Sequence, residues 1–233
     1  MIIGITGGIG SGKSTIARAL AARGFAVYDC DKEAKRIIAE NHDVQQQIID
    51  LLGPEAFSFN PSLSEAEQSG IYNTSYVAQR VFAEPELLEK LNHIVHPAVK
   101  EDILEKQPDF VESAILYEAG LDAICDKIFV IEAPEDIRIA RTIARDYHGD
   151  ASPENIDKVR ARIRAQHNQS TIKRPCRVTI NQSTILLNDG RKSIDELAEE
   201  IIALLHSASP KPLIRHPKSI KMTFSLAYVI FFV

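Results

Sequence analysis

A cluster of glycines followed by a lysine and two hydroxyl residues lies near the start of the chain. Residues 7–15 read GGIGSGKST, directly after the apolar run at residues 2–6. Glycine accepts positive φ and has no side chain, so successive N–H groups of such a loop can converge on phosphate oxygens. The pattern of residues 13–23 predicts a helix, whose N-terminus adds unpaired N–H groups and a positive dipole end. The segment therefore predicts a site for phosphate groups.

Residues 7–14 fit the P-loop signature G-x-x-x-x-G-K-[ST], which favours a nucleoside triphosphate with Mg²⁺ as the ligand. We expect Lys13 to contact the β- and γ-phosphates and Ser14 to offer its hydroxyl to Mg²⁺. The dinucleotide fingerprint G-x-G-x-x-G fits poorly, because Lys13 stands where its third glycine belongs. The residues expected to hold the nucleotide here are Gly8, Ile9, Gly10, Ser11, Gly12, Lys13, Ser14 and Thr15. The loop alone does not distinguish an ATPase, a GTPase and a kinase.

Two carboxylates, Asp29 and Asp31, follow a second apolar run at residues 25–28. The two runs and the helix between them predict a βαβ unit and therefore a parallel sheet. Ligands collect at the carboxyl ends of the strands in such a sheet. A carboxylate there can accept a proton from an attacking hydroxyl or hold Mg²⁺ through water, and the two side chains point opposite ways if the strand continues. The alternative is that both are solvated loop residues.

Basic residues recur at helical spacing between residues 138 and 164, although the net charge of the chain is -5. They are Arg138, Arg141 and Arg145 on one helix face, and the pairs Lys158 with Arg162 and Arg160 with Arg164. Arginine suits phosphate oxygens, and phosphoryl transfer is catalysed mostly by positioning and charge neutralisation. The alternative is a solvated face paired with neighbouring acidic residues. The chain contains no N-K-x-D segment for guanine and only weak versions of a motor-ATPase acidic box, so the cluster favours a small-molecule kinase with a basic lid.

The amino-acid composition and the two ends of the sequence disfavour several other classes of protein. The three cysteines, Cys30, Cys125 and Cys176, are widely spaced and form no CxxC pair, which disfavours a disulfide framework or a zinc site and fits a cytoplasmic location. The acidic balance argues against binding to nucleic acid. The apolar start lacks the basic flank of a signal peptide. The last twelve residues, MTFSLAYVIFFV, would span about 18 Å as a helix, less than the ~30 Å hydrocarbon core, so we expect no stable membrane span.

Further elements follow from hydrophobic periodicity. We expect a helical insertion with helices at residues 32–40, 44–52, 75–82 and 85–106, no clear strand, and an interruption of the last helix at His96–Pro97. Strands are expected at residues 110–117 and 127–132, and helices at 135–145 and 153–168. Short β-like runs follow at residues 177–180 and 184–187. A helix over residues 193–205 is expected to begin with Ser193 as N-cap and Glu196 completing a capping box.

Taken in order, these segments resemble the dephospho-CoA kinase family over much of residues 1–206. The P-loop ITGGIGSGKST and the acidic segment YDCD are similar to the family's first two motifs, and the segment FAEPELLEKLNHIVHP resembles its stretch ending in His-Pro. AILYEAG resembles its P-L-L-x-E segment, ARTIARD with RIRAQ resembles its lid, and ILLNDG resembles its nucleotide-base loop. The P-loop is shared by many families, whereas the ordered set is far more specific.

The resemblance implies an ATP-dependent kinase that phosphorylates the ribose 3′-hydroxyl of dephospho-CoA, the last step of coenzyme A synthesis. It implies Asp31 as the general base. Together with the P-loop and the two carboxylates, we expect Lys13 and Arg145 also to be catalytic, and Ser14 and Asp29 to hold Mg²⁺. Nucleotide contacts are implied for Arg141, Arg145, Asn188 and Gly190, and acceptor contacts for Asp31, His96, Leu116, Glu118 and Arg162. Gln166 corresponds to a further lid position.

The fold class expected is α/β: a three-layer P-loop NTPase fold with a parallel five-stranded sheet, a helical substrate-binding insertion and a helical lid. The core would comprise residues 1–31, 108–145 and 169–206, the acceptor domain residues 32–107, and the lid residues 146–168. Residues 207–233 would form a linker and an apolar tail. We expect a monomer or a small homo-oligomer.

Two departures from the family pattern affect the acceptor side. The family usually has Asp-Arg where this chain has Asn73-Thr74, so an arginine expected to touch the acceptor's phosphate is missing. Ala114 stands where the family has proline. Two other functions therefore remain open from the sequence: a nucleoside or nucleoside monophosphate kinase of the same class, and a nucleotide-binding protein without turnover.

Overall fold

The computed structural model describes residues 1–58, 71–173 and 183–206. Five parallel strands form the central sheet in the order β2-β5-β1-β6-β7. The strands are β1 (Ile3–Gly7), β2 (Val27–Asp29), β5 (Phe110–Glu112), β6 (Lys127–Glu132) and β7 (Ser183–Leu187). The helices are α1 (Lys13–Ala21), α2 (Cys30–Glu40), α3 (His42–Leu52), α4 (Thr74–Ala83), α5 (Pro85–Lys106), α6 (Glu135–Asp146), α7 (Pro153–Lys173) and α8 (Ile194–His206). Because β1 lies between β5 and β6, the P-loop begins at the centre of the sheet.

Helices cover both faces of the sheet, as the apolar strands require. On one face, Ile5 and Phe129 pack against Leu20 of α1 and Ile201 of α8. On the other, residues such as Val111 join a larger core with the helices of the insertion. The expected three-layer P-loop fold is confirmed in this arrangement.

The helical insertion differs from the expectation in two details. Pro97 lies inside α5 and does not interrupt it. Proline removes one helix hydrogen bond, but Val95, Val99 and Ile103 on the buried face hold both halves in the core. A two-stranded antiparallel sheet, β3 (Phe57–Ser58) with β4 (Ile71–Tyr72), also lies here, where no strand was expected. Strands of two residues are too short to show a period of two.

Two strand ends also differ from the expectation, and both changes affect the site. The strand expected at residues 110–117 ends at Glu112, and the chain then turns after the Ser113 N–H donates to the Ile5 carbonyl at 3.0 Å. The second strand ends at Asp29, so Asp31 lies in the first turn of α2 and not on a strand. The run at residues 184–187 is confirmed as part of β7, whereas residues 177–180 and 207–233 lie outside the described residues.

The capping box of α8 is confirmed. The Ser193 N–H donates to the Glu196 carboxylate at 2.7 Å, and the Glu196 N–H donates to the Ser193 hydroxyl at 3.2 Å. Among the described helices, none is both long enough and apolar enough to cross a membrane.

Candidate active site

The P-loop leaves the end of β1 and enters α1 with two residues in the left-handed region. Gly10 has φ 74° and Gly12 has φ 92°. A side chain at Gly10 would meet the backbone of Arg138, and one at Gly12 would meet the Asn188 amide. Glycine is therefore required at both positions by conformation and by space. The loop brings the N-terminus of α1, with its unpaired N–H groups, to the carboxyl end of the sheet.

Side chains from distant parts of the chain fix the loop at Ser11. The Asn188 amide donates to the Ser11 carbonyl at 2.8 Å, and Asn188 itself is buried. Arg141 donates to the Asn188 side-chain oxygen at 3.0 Å and to the Ser11 carbonyl at 3.4 Å. Arg141 and Asn188, both expected at the nucleotide, thus lie together beside the P-loop, and Gly190 follows on the surface with φ 87°.

The end of β5 supplies a buried carboxylate that sequence reasoning missed. Glu112 is 5% exposed and lies between Ile5 of β1 and Asp29 of β2 in the sheet register. Its Oε1 atom accepts a hydrogen bond from the Ser14 hydroxyl at 3.1 Å and lies 3.4 Å from Lys13 Nζ. The expectation that this strand continued to residue 117 placed Glu112 in mid-strand and hid its role. The sequence signal that could have revealed Glu112 is an acidic residue at the end of a buried apolar run, in a strand next to the one that leads into the P-loop.

Asp31 lies close to the same charges. Burial raises the pKa of Asp31 to about 6, the positive charge of Lys13 opposes this, and the negative charges of Glu112 and Asp29 add to it. A carboxyl with such a pKa is ionised at neutral pH yet basic enough to take a proton, which is the property of a general base. Asp29 is the N-cap of α2, since its Oδ1 atom accepts from the Lys32 N–H at 3.1 Å.

Side-chain oxygen atoms that could coordinate a metal ion lie together at the carboxyl ends of β2 and β5. The Ser14 hydroxyl and the Glu112 carboxylate are in contact, and Asp29 ends the strand next to β5. Mg²⁺ prefers such oxygen ligands and usually takes only one or two carboxylates from the protein, with waters and substrate phosphates completing its shell. The donor set therefore fits Mg²⁺, although no group of three or more His, Cys, Asp or Glu within the described ranges is arranged to hold a metal by itself.

A cavity of about 490 Å³ opens beside the P-loop, between the ends of β1 and β6 and the lid side of the molecule. Glu118, Tyr117, Arg138 and Gln166 line it together with Gly7 and Gly8. Of the residues carried over from the family's P-L-L-x-E segment, Glu118 reaches this cavity. The side chain of Leu116 has no exposed surface and belongs to the larger core.

A second, smaller cavity lies behind Asp31. It has a volume of about 20 Å³, enough for one water molecule, and is lined by Asp31, Ser113 and His96 among others. His96 is buried in α5 at 7% exposure. The structure thus places His96 near Asp31, on the insertion side of the site.

Arg145 and Arg162 share one acidic partner. Arg145 donates to Asp146 at 2.6 Å and Arg162 donates to the same carboxylate at 2.8 Å. These two arginines lower the pKa of Asp146 to about 2. Arg145 and Arg162, expected at the nucleotide and the acceptor, are therefore together at the junction of α6 and α7. Thr15 is exposed beside the P-loop, where its hydroxyl accepts from Arg18 at 3.3 Å.

Two further contacts join the lid helices to the P-loop. The Gln166 side-chain oxygen accepts from the Ile9 N–H at 2.7 Å, and Arg138 Nε donates to the Ile9 carbonyl at 2.8 Å. The Ile9 side chain packs with Ile143, Val159 and Ile163 of α6 and α7. Helical spacing indicated a basic face here, but not that it would contact the loop.

Comparisons with known proteins agree with this geometry. The family model described as dephospho-CoA kinase matches residues 1–190. A dephospho-CoA kinase of Fusobacterium nucleatum is 37% identical over 207 residues, which cover 86% of this chain and 98% of the relative. One from Salinibacter ruber is 38% identical over 205 residues, covering 84% of this chain and 94% of the relative.

Solved structures show the same fold. A crystal structure from Thermus thermophilus has a TM-score of 0.61 at 26% identity, covering 90% of this chain and 98% of that one. The dephospho-CoA kinase of Campylobacter jejuni has a TM-score of 0.55 at 21% identity, covering 88% and 96%. With the family model matching most of the chain and relatives above 30% identity aligned over nearly their whole length, this chain belongs to the dephospho-CoA kinase family.

Proposed function

We propose that this chain is an ATP-dependent kinase that phosphorylates the ribose 3′-hydroxyl of dephospho-CoA, yielding coenzyme A and ADP as the last step of coenzyme A synthesis. The observation that carries the proposal is the placement of Asp31, a carboxyl with a raised pKa, beside the P-loop lysine in a chain of this family. A P-loop alone holds a phosphoryl donor, whereas a P-loop with a base beside it can activate an acceptor hydroxyl.

Asp31 accepts the proton of the 3′-hydroxyl as the ribose oxygen attacks the γ-phosphorus. The bond from that phosphorus to the β–γ bridging oxygen breaks, and ADP leaves with the bond's electrons. Burial of Asp31 supports this role, because it raises the basicity of the carboxylate. Lys13 has two tasks: it contacts the β- and γ-phosphates and limits the rise in the pKa of Asp31.

The P-loop residues 8–15 bind the phosphates of ATP through backbone N–H groups and through Lys13. Ser14, Glu112 and Asp29 would hold Mg²⁺, which supplies positive charge to the phosphates when bound. The contact between the Ser14 hydroxyl and Glu112 supports this part of the proposal, because it orients the hydroxyl at the loop. Arg141, Asn188 and Gly190 would lie next to the nucleotide, with Arg141 and Asn188 fixing the loop.

Residues 32–107 form the acceptor domain in this proposal, and residues 146–168 the lid. The nucleotide core comprises residues 1–31, 108–145 and 169–206. His96 and Glu118 contact the acceptor from the insertion and from the large cavity, and the fully buried Leu116 supports them from the core. Arg145 and Arg162 neutralise charge on the phosphates once the lid has closed, in exchange for their contacts with Asp146.

The Asn73-Thr74 site, where the arginine of the family pattern is missing, has a structural role. The Asn73 side-chain oxygen accepts from the Tyr76 N–H at 3.1 Å and caps α4. This pair therefore contributes to the helix start, and acceptor phosphate is bound by other residues. We also propose a cytoplasmic location, in keeping with the free, buried thiols of Cys30 and Cys125, and a monomer or small homo-oligomer.

Acceptor-dependent release of ADP tests the function. The purified protein with ATP and Mg²⁺ should release ADP at a rate that rises only when dephospho-CoA is added, and the product should carry one more phosphate at the ribose 3′ position. A panel of nucleosides and nucleoside monophosphates serves as the control. Turnover of a panel member without turnover of dephospho-CoA would reject the acceptor, and absence of turnover with all of them would reject a kinase.

A further inference from the structure

Arg138 lies in the first part of α6, directly against the P-loop. Its Nε atom donates to the Ile9 carbonyl at 2.8 Å. Its Nη2 atom lies over Gly8 so closely that a side chain at Gly8 would collide with the guanidinium. The guanidinium is thus fixed at one end by a hydrogen bond and covers the first part of the loop with the other.

The two terminal nitrogens of Arg138 have no hydrogen bond or ion pair with any residue in the described part of the chain. This distinguishes Arg138 from Arg141, which donates to Asn188, and from Arg145, which pairs with Asp146. Glu132 and Glu135 act on Arg138 only through longer-range attraction, and burial lowers the pKa of its guanidinium. A half-buried cation without a carboxylate partner carries a desolvation cost that an anionic ligand would offset.

The free end of Arg138 faces space suited to such a ligand. Arg138 lines the cavity of about 490 Å³ together with Gly7, Gly8 and Gln166. Planar guanidinium groups bind phosphate through two parallel N–H donors. An arginine held through Nε keeps its terminal donors available, and its side-chain entropy is already partly lost before the ligand arrives.

We propose that Arg138 is a phosphate-binding residue whose terminal nitrogens contact a substrate's phosphate oxygens in this cavity. The inference rests on the proposed function, which brings two such groups to the site: the γ-phosphate of ATP and the diphosphate of dephospho-CoA. Both present the same chemistry, and binding measurements with separate ligands distinguish them.

The competing explanation is that Arg138 only supports the P-loop through Ile9. Arg138→Gln addresses it, because glutamine can still donate to the Ile9 carbonyl but has no charge. Arg23→Gln is the matched control, since Arg23 follows the end of α1 opposite the P-loop and pairs with Asp195 and Glu199 of α8. Affinities for ATP, ADP and dephospho-CoA are measured by calorimetry with Mg²⁺ present, alongside thermal unfolding of each protein.

Two results support the proposal. If Arg138 binds the γ-phosphate, Arg138→Gln weakens the affinity for ATP about 10- to 100-fold and leaves the affinity for ADP unchanged, as expected for the loss of charged hydrogen bonds. If it binds the diphosphate of the acceptor, the affinity for dephospho-CoA weakens by that factor and the affinities for ATP and ADP are unchanged. Arg23→Gln should leave all three affinities as in the parent protein.

Two results overturn the proposal. One is an equal weakening of the affinities for ATP and ADP with the affinity for dephospho-CoA unchanged, which is the pattern expected if Arg138 only supports the P-loop. The other is no change in any of the three affinities. Should Arg138→Gln unfold at the assay temperature, Arg138→Lys replaces it and is judged by the same patterns, because lysine keeps the charge but lacks the two parallel donors. These binding results do not require turnover. A wild-type protein that fails to phosphorylate dephospho-CoA would therefore reject the proposed function in a separate assay.

Discussion

The P-loop and the helical insertion are held by different kinds of interaction. Side chains that lie 129 to 177 residues away in sequence hydrogen-bond to the P-loop backbone at Ile9 and Ser11. The insertion is held by apolar packing of α2 to α5 against the sheet. Its charged groups also form a network that reaches β2, where Tyr28 of that strand and Arg36 donate to Asp102 at 2.6 and 2.8 Å and Lys106 contacts Glu33 at 2.6 Å.

The two regions are held differently because they contribute to the site through different groups. A P-loop binds phosphate through its backbone, whose direction depends on every hydrogen bond that fixes it. The insertion instead is a stable apolar body that begins directly after Asp31, and the first turn of its helix α2 holds that carboxyl at the site. Polar substitutions should therefore affect substrate binding or chemistry near the P-loop, but mainly stability in the insertion, with Asp31, at the junction of the two regions, affecting both.

The largest effect is expected for a substitution at Asp31. Asp31→Asn removes the proton acceptor, so kcat with dephospho-CoA should fall about 10²- to 10⁴-fold, the usual contribution of general base catalysis. Asp43→Asn is the control, because Asp43 occupies the same first-turn position in the neighbouring helix α3. Initial rates of ADP release measure both, and near-normal turnover of Asp31→Asn would show that another group takes the proton.

The same substitution should stabilise the fold. Since the pKa of Asp31 is about 6 in the folded chain and 3.8 as its ordinary value, the folded state binds its proton more tightly, and this contribution to stability is present below pH 4 and lost as the pH rises through 6. Asparagine remains neutral, so Asp31→Asn should increase the free energy of unfolding at pH 7.5 by up to about 3 kcal/mol. Urea denaturation at pH 7.5 and pH 4 measures this, and an equal change at both values would contradict it.

A smaller loss of activity is expected from Glu112→Gln. Glutamine keeps an acceptor for the Ser14 hydroxyl but removes the charge 3.4 Å from Lys13, and kcat should fall about 10- to 100-fold, the range for charged hydrogen bonds. Glu105→Gln, at an exposed position of α5, is the control. Unchanged kcat in Glu112→Gln would remove Glu112 from the site.

The smallest effects compare one asparagine from each region. Asn188→Ala removes one hydrogen bond from the Ser11 carbonyl and one from Arg141, so the KM for ATP should rise about tenfold with some loss of stability. Asn73→Ala removes a helix cap in the insertion, which should cost about 1 kcal/mol of stability and leave the KM for ATP unchanged. Equal effects of both variants on the KM for ATP would remove the distinction between the two regions.

The sequence predicted the parts of the site that are local. Lys13 and Ser14 follow from a contiguous motif, and the parallel sheet follows from the order of strand, helix and strand. The ordered motifs also identified the family. These features depend on neighbouring residues, which is why spacing alone was sufficient.

The parts that were missed depend on distant residues. β5 ends at Glu112 because its pairing with β1 stops there, at Ile5, and no pattern within residues 110–117 contains that information. Likewise, the contact of Arg141 with Asn188 spans 47 residues, and helical periodicity shows only that Arg141 lies on a basic face. The sequence left open whether the strand continues to Asp31, because the N-cap function of Asp29 competes with strand continuation at YDCD.

The central claim is that Asp31 is a base tuned by Lys13 and Glu112. The pH dependence of kcat/KM for dephospho-CoA tests it most directly, in the wild-type protein and in Glu112→Gln. We predict a rate that rises with pH through an apparent pKa of about 6 in the wild type, and a lower apparent pKa in Glu112→Gln because a negative charge that raises the pKa of Asp31 is gone. Ionisation of ATP is common to both proteins and cancels in the comparison. The same apparent pKa in both, or a wild-type value near the ordinary 3.8 of an aspartate, would contradict the account.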